Sequence, residues 1–569
     1  MSLLVDVFGY LSIILHGLVI VGQSIAVGSA LFLVLLARPF EHRLAEGTEI
    51  VRRTARFGAW SALFLIACEA LALALQLSVL QTTLDLPFAD LIPANFALAG
   101  VVKIVAAGVL AAALFRPRPP AWPTLLALVA VILGAAVMTT HAAARLDDQG
   151  LLMTASLLHI LGASIWIGGI PAFIIAIRQS HGSAALRLVG ARFSRMSMAG
   201  VGCILLSAVA FSIFYIGSLE GLYGTAYGVM VGAKGAMFAA LLLLGLGNFF
   251  VVERLRRDPA TSTLRLRRFA EVEIGIGITI FFAAASLTSV PPAIDLTQDR
   301  VTFHEIVDRN LPEWPRLTSP DHDSLALPEL QAQLDREAAA QRHPAAEAFT
   351  PGSGALPERN AEDIAWSEYN HHWAGIFVVI VGVLALMNRA GVRWAKHWPL
   401  AFLGMAVFLF VRSDPEVWPL GHIGFFESFR DVEVLQHRTF VLLLTAFALF
   451  EWGVRTGRLK SPRMALVFPL LTAVGAALLL THNHAIANAR EQLLIEVSHT
   501  PLALAGVAAG WSRWLELRAD GEVRRRAGWV WPSALVVVGA ILLNYREAST
   551  SLQPGTPPTI ASTAAAPPG

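Results

Sequence analysis

The chain has 569 residues, 55% of them hydrophobic and 15% charged, with a net charge of +2 and a mean hydropathy of +0.61. That apolar excess excludes an ordinary soluble domain, and the small net charge gives no footing for a nucleic-acid partner. The two cysteines, Cys68 and Cys203, sit in apolar stretches and cannot build a disulfide framework, and the absence of Cys-x-x-Cys-His excludes covalent c-type haem attachment.

A membrane-spanning helix needs about 20 mostly apolar residues. Runs of that kind fall near 8–37, 57–80, 93–115, 121–142, 151–177, 194–217, 225–252 and 269–292, and resume near 370–388, 398–412, 437–454, 464–481, 491–512 and 528–545. The first run is longer than a signal-peptide core and no basic segment precedes it, which predicts an uncleaved helix. The expected fold is therefore an all-α, polytopic integral membrane protein with about fourteen transmembrane helices, in sets of eight and six.

Loops between the runs alternate in charge. Arg38, Arg43, Arg52, Arg53 and Arg56 fill the first, whereas the second holds Asp85 and Asp90. Basic residues return at Arg116, Arg178, Arg254, Arg389, Arg455 and Arg524, always in every second loop. The positive-inside rule then predicts both termini on the periplasmic side of a bacterial inner membrane. Four parts are expected: an eight-helix membrane domain (1–293), an extracytoplasmic polar segment (294–368) with a helix-like stretch from Leu327 to Arg342, a His-rich six-helix domain (369–546), and a Pro, Ala, Ser and Thr tail (547–569) expected to be disordered.

The first eight helices carry an internal echo. Leu15-His16-Gly17-Leu18 is matched by Leu158-His159-Ile160-Leu161, Ala55-Arg56-Phe57 by Ala191-Arg192-Phe193, and the lone intramembrane Lys103 by Lys234. Matches in the same order predict a duplicated four-helix unit. An even helix number makes the copies parallel, placing His16 and His159 at similar depth.

Ionisable groups inside a bilayer mark functional sites by default, and imidazole is the commonest protein ligand for transition metals. Met138 and His141, three apart at the end of the fourth run, are expected to share a face. With His16 and His159 they make a set of imidazoles and one thioether suited to Cu(I) or Cu(II) rather than to magnesium or calcium. Helix-end histidines that merely bond a backbone carbonyl are the competing reading. Glu69, Lys103 and Lys234 lie near mid-membrane, where a Glu69–Lys103 pair competes with an ion path. Glu271 and Glu273 are expected to reach water at the cytoplasmic end.

In the second half, alternating helix direction brings His371, His372, His437, His482, His484 and His499 to the outer side. Glu368-x-x-His371 and Glu496-x-x-His499 each place a carboxylate and an imidazole on one helix face, the spacing of carboxylate-bridged di-iron bundles. Glu368 and Glu496 are expected to orient imidazoles as acceptors behind a metal. Bis-histidine haem b is a second possibility, since it needs only two facing histidines. A hydrated vestibule is the third. No phosphate-binding Gly-x-x-x-x-Gly-Lys-Ser/Thr loop and no Gly-x-Ser-x-Gly elbow occur, so nucleotide-driven pumping and esterase-type catalysis are not expected, and no catalytic residue is assigned.

Leu158-His159 through Trp166-Ile167-Gly168-Gly169, then Arg192-Phe193-Ser194-Arg195, Lys234, Val272-Glu273 and Ser289-Val290-Pro291-Pro292, resemble the copper resistance protein D (CopD) family over residues 150–293. Ser367-Glu368-Tyr369-Asn370-His371-His372-Trp373 resembles the carboxy-terminal extension of long family members. The resemblance implies an inner-membrane protein of copper homeostasis or resistance, with copper as its ion and a periplasmic copper-binding protein as a partner. The expected function is copper capture near the outer face and passage inward, by a transporter or metal-handling protein rather than an enzyme. The alternative is a membrane haem b or di-metal redox protein built on the second-half histidines.

Overall fold

The computed structural model describes residues 2–547 apart from 85–86, 118, 181–182, 259–260, 298–299, 321–360, 415–416, 422, 431 and 482–488. Each of the fourteen apolar runs is a helix, and no β-strand occurs among the described residues. Hydrocarbon offers no partner for backbone N–H and C=O groups, so a chain this apolar satisfies them within helices. In order they are α1 Ser2–Phe32, α2 Gly47–Leu84, α3 Asn95–Phe115, α4 Trp122–Val137, α5 Gln149–Trp166, α6 Ser183–Phe211, α7 Ala226–Arg257, α8 Leu264–Leu287, α9 Ala361–Arg389, α10 Ala401–Arg412, α11 Val432–Arg455, α12 Val467–Leu479, α13 Ala489–Arg518 and α14 Gly521–Leu543. Among the described residues twelve helices are long and apolar enough to cross a membrane, and the segments around α4 (Trp122–Val137) and α12 (Met464–Leu479) are shorter apolar helices.

α1 is the hub of the first half, packing on α2, α4, α5 and α8. Its crossing with α5 is a contact of small residues. A Cβ on Gly28 would stand 2.3 Å from the carbonyl carbon of Gly168, and one on Gly168 would stand 1.9 Å from the Ser24 carbonyl oxygen. Backbones can meet this closely only where side chains are missing.

The second half repeats the device where α9 crosses α14. A Cβ on Gly375 would lie 2.9 Å from the Gly539 carbonyl oxygen, and one on Gly539 would lie 2.6 Å from the Val379 nitrogen. α12 and α13 pack on α7 and α8, so Ala476, Leu480, Ala503 and Val507 share the core of the first half.

Basic loops gather at one end of the bundle. There Arg192 Nε donates to the Leu35 carbonyl at 3.2 Å, and Glu271 receives Arg268 at 2.6 Å, Arg518 at 3.0 Å and Trp514 Nε1 at 3.0 Å. Glu271 therefore ties α8 to α13 rather than simply reaching water. Glu273 is 4% exposed and accepts from Asn248 Nδ2 at 2.6 Å, so the expectation of solvation fails for it too. Both carboxylates face neighbouring helices instead of the helix end. At the opposite end Arg145 pairs with Asp295 at 2.9 Å, and a strap from 300 to 320 carries the helix Phe303–Asn310, opened by a Thr302/Glu305 capping box. The stretch from Leu327 to Arg342, His482, His484 and the tail beyond Glu547 lie outside the described residues.

Candidate metal sites

Thr139 and Thr140 end α4. Their hydroxyls donate to the carbonyls of Ala136 at 2.9 Å and Val137 at 2.7 Å, and Thr140 is extended, so a new short helix starts at His141. Met138 and His141 are consequently not on one continuous helix, which corrects the expected shared face. Met138 is 45% exposed, whereas Nε2 of His141 is buried with no hydrogen-bond partner. His141 faces the backbone of Leu287 and Thr288 at the end of α8. His16 lies within electrostatic reach of both His141 and Lys103.

His159 is oriented by α6. Ser207 Oγ donates to the Ile204 carbonyl at 2.8 Å, so it meets His159 Nδ1, 2.9 Å away, as an acceptor. The imidazole therefore carries its proton on Nδ1 and its lone pair on Nε2. Phe211 packs against the ring at 5.5 Å, and Lys234 on α7 is within electrostatic reach. His16 stands in the same relation to Lys103 on α3.

The two lysines differ in their partners. Lys103 Nζ donates to both oxygens of Glu69 at 3.1 Å, and the two residues are 3% and 8% exposed. This is the structural pair that competed with an ion path. Lys234 is half-buried and has no hydrogen bond or ion pair among the described residues.

In the second half, α9, α13 and the chain just past α14 converge. Nδ1 of His371 donates to the Ser367 carbonyl at 2.7 Å, and Nδ1 of His499 donates to the Ile495 carbonyl at 3.0 Å. Their ring centroids are 6.3 Å apart, and the buried Tyr545 ring stacks on His371 at 4.0 Å and meets His499 edge-on at 5.6 Å. Tyr545 donates to Glu547 Oε1 at 3.0 Å, and Ser367 Oγ donates to the same oxygen.

The other described histidines of that set, His372 and His437, are placed elsewhere. His372 accepts from the Arg316 backbone N–H at 2.8 Å on Nδ1, and its Nε2 donates to the Tyr545 carbonyl at 2.8 Å. Both nitrogens are spent on holding the strap and the end of α14 against α9, so no lone pair remains for an ion. His437 pairs through Nδ1 with Asp414 at 2.7 Å, on the α10–α11 hairpin.

Nor do the carboxylates orient imidazoles as expected. Glu496 accepts from Thr500 Oγ1 at 3.1 Å, and Glu368 accepts from Arg316 Nε and the Glu547 N–H, each at 3.3 Å. Backbone carbonyls one turn back do that work, because they are nearer than a side chain three residues away. Tyr545, Glu547 and Ser207 were not singled out from the sequence. The run Tyr545-Arg546-Glu547, directly after the last apolar helix, is the signal that could have found two of them. Among the described residues no group of three or more His, Cys, Asp or Glu is arranged to hold an ion.

Residues 187–287 match the family model of copper resistance protein D. The chain thus holds a segment similar to the CopD family. That segment runs from the start of α6 to the end of α8 and includes Ser207, Lys234, Asn248 and Glu273. The copper transport protein CutJ of Bacillus subtilis (strain 168) is 35% identical over 165 residues, which is 28% of this chain and 29% of that protein's length. The match thus spans less than a third of either protein. No solved structure matches the chain.

Proposed function

We propose that this CopD-family membrane protein takes copper at the end of the bundle opposite the arginine-rich loops and passes it inward across a bacterial inner membrane. By the positive-inside rule, the arginine-rich end is cytoplasmic and both termini are periplasmic. His159 is one contact point for the ion and His16 with His141 a separate one, with copper delivered by a periplasmic copper-binding protein. Met138, turned outward, is left out of the set.

The observation that carries this reading is the His159–Ser207–Lys234 arrangement, two of whose members lie in the CopD segment. Metal-bound histidines almost always donate their second ring N–H to a fixed acceptor, as His159 does to Ser207. A lysine beside the ligand repels a cation bound there, which suits transfer rather than storage. The likeness to a protein named for copper transport supports the same reading.

The test is uptake into proteoliposomes with a copper-responsive dye inside. Wild-type protein should admit copper well above empty vesicles, and His159→Ala should reduce the rate at least about tenfold, the loss typical when a metal site is disturbed. No uptake above empty vesicles by correctly inserted wild-type protein rejects the proposal.

A further inference from the structure

The short helix Phe303–Asn310 lies in the strap that follows α8, at the end of the bundle opposite the arginine-rich loops. Successive residues advance about 100° around a helix axis, so its side chains divide into three arcs. Glu305, Ile306 and Arg309 form a half-buried arc, and Ile306 packs on the cluster that contains Tyr215 and Val301. Beside it, Phe303, Val307 and Leu311 span about 80° of the surface, and all three are exposed. His304 and Asp308, paired at 2.7 Å, make the third arc. Asn310 falls between the first two and turns its amide back to the Ile306 carbonyl at 2.7 Å. Around the helix the order is therefore protein, apolar, polar. A helix lying flat at the rim of a membrane bundle shows that order, with lipid below it and water above.

The apolar stripe also continues the outer surface of a transmembrane helix. α6 presents Leu206, Val209 and, just past its end, Ile213 to the outside of the bundle. The short helix Leu219–Tyr223 follows with Leu219 and Leu222 exposed, and its Tyr223 ring meets the Phe303 ring at 5.8 Å. Hydrogen bonds fix the junction. The Val301 N–H donates to the Gly224 carbonyl at 3.1 Å, and Arg300 Nη1 donates to Ser218 Oγ at 3.1 Å. The far end of the strap is tied to the end of α14, where the Glu313 N–H donates to Asn544 Oδ1 at 3.4 Å and Arg546 pairs with Glu313 at 2.7 Å. Trp314, the next residue, is 92% exposed, and tryptophan is enriched where a membrane meets water. With both ends held by transmembrane helices, the bundle sets the depth of the stripe.

We propose that the strap is an interfacial segment whose partner is the lipid surface. Phe303, Val307, Leu311 and Trp314 sit in the boundary between headgroups and acyl chains of the leaflet at this end, and His304 and Asp308 face water. The unbroken apolar surface from α6 through Leu219 to Phe303 commits this face to lipid rather than to a docked protein. This placement is independent of copper transport.

The test uses full-length protein carrying Cys68→Ala and Cys203→Ala, reconstituted in vesicles of phosphatidylethanolamine and phosphatidylglycerol. A nitroxide is attached at Val307→Cys or at Asp308→Cys, neighbours on different arcs. Its collisions with oxygen, which concentrates in hydrocarbon, are compared with its collisions with a water-soluble nickel chelate present on both sides of the vesicle. The oxygen-to-nickel ratio should be several times higher at position 307 than at position 308. Leu311→Cys should read like Val307→Cys, and it decides the matter if circular dichroism shows that the Val307 variant does not fold. Nickel-rich readings at 307 and 311 mean that the stripe is open to water, as a protein-docking face would be, and overturn the proposal. Few collisions with either reagent at 307 and 311 mean that another stretch of protein covers the stripe, and overturn it as well. Equal ratios at 307 and 308 remove the two-sided placement and with it the proposal.

Discussion

Lys103 and Lys234 occupy corresponding helices of the two echoing sets, and each lies within electrostatic reach of that set's histidine. The first is closed by Glu69 at 3.1 Å to both carboxylate oxygens. In the second, alignment on Ala55-Arg56-Phe57 and Ala191-Arg192-Phe193 puts Leu205 where Glu69 stands, and Leu205 is 49% exposed. Ser207, two residues on, bonds the histidine instead. One set has spent its charge on a buried pair, whereas the other leaves a cation beside an imidazole with a defined lone pair. The set with the open cation is the one that runs into the CopD segment. The neutralising partner of the lysine is what separates the two sets.

The largest expected effect comes from breaking the closed pair. Glu69→Gln leaves Lys103 buried, 3% exposed, with no opposite charge. Removing one partner of a buried ion pair costs about 3–5 kcal/mol, because the remaining charge stays desolvated. Glu69→Leu combined with Lys103→Met removes both charges and should recover most of that loss. Thermal unfolding in detergent checks both, and a Glu69→Gln protein as stable as wild type would erase the contrast between the two sets.

His372→Ala should show an intermediate effect and sharpen the same contrast within the second half. Its imidazole joins the Arg316 N–H to the Tyr545 carbonyl, and truncation leaves both without their partner. An unsatisfied buried polar group costs about 1–3 kcal/mol. Thermal unfolding in detergent reads the loss, and a folded His372→Ala protein as stable as wild type would remove His372 from that structural role.

The twelve membrane-spanning helices among the described residues were legible because a run of about 20 apolar residues has few alternatives in a membrane. The end of α4 was not, since it depends on two threonine hydroxyls turning back to Ala136 and Val137, a local competition that apolar periodicity does not record. Histidine depth was legible, but histidine duty was not. His371 and His372 look alike in sequence, and their roles part because an N–H from the strap, 56 residues away, reaches only His372. The carboxylates three residues before His371 and His499 suggested acceptors, yet Arg316 and Thr500 claim them. Tyr545 and Glu547 follow the last apolar run and carried no periodic signal.

Lys234→Met should have the smallest effect on stability and the most informative effect on function. Lys234 has no ion pair to lose among the described residues, so the change should stay within about 1 kcal/mol of wild type, unlike any cut at Glu69. Its charge nevertheless opposes a cation on His159. Removing that repulsion should tighten copper binding at the first-half site on the order of tenfold, or about 1.4 kcal/mol. Tighter binding slows release, so vesicle uptake should fall while more copper remains on the purified protein. Lys103→Met should not tighten binding in the same way, because Glu69 already cancels the Lys103 charge and its loss leaves a bare carboxylate that destabilises the fold. The decisive measurement is retained copper per protein after dialysis, compared between the two lysine variants. Equal retention in both would mean that the open lysine does not set the ion's residence, and the division of labour between the two sets would fall with it.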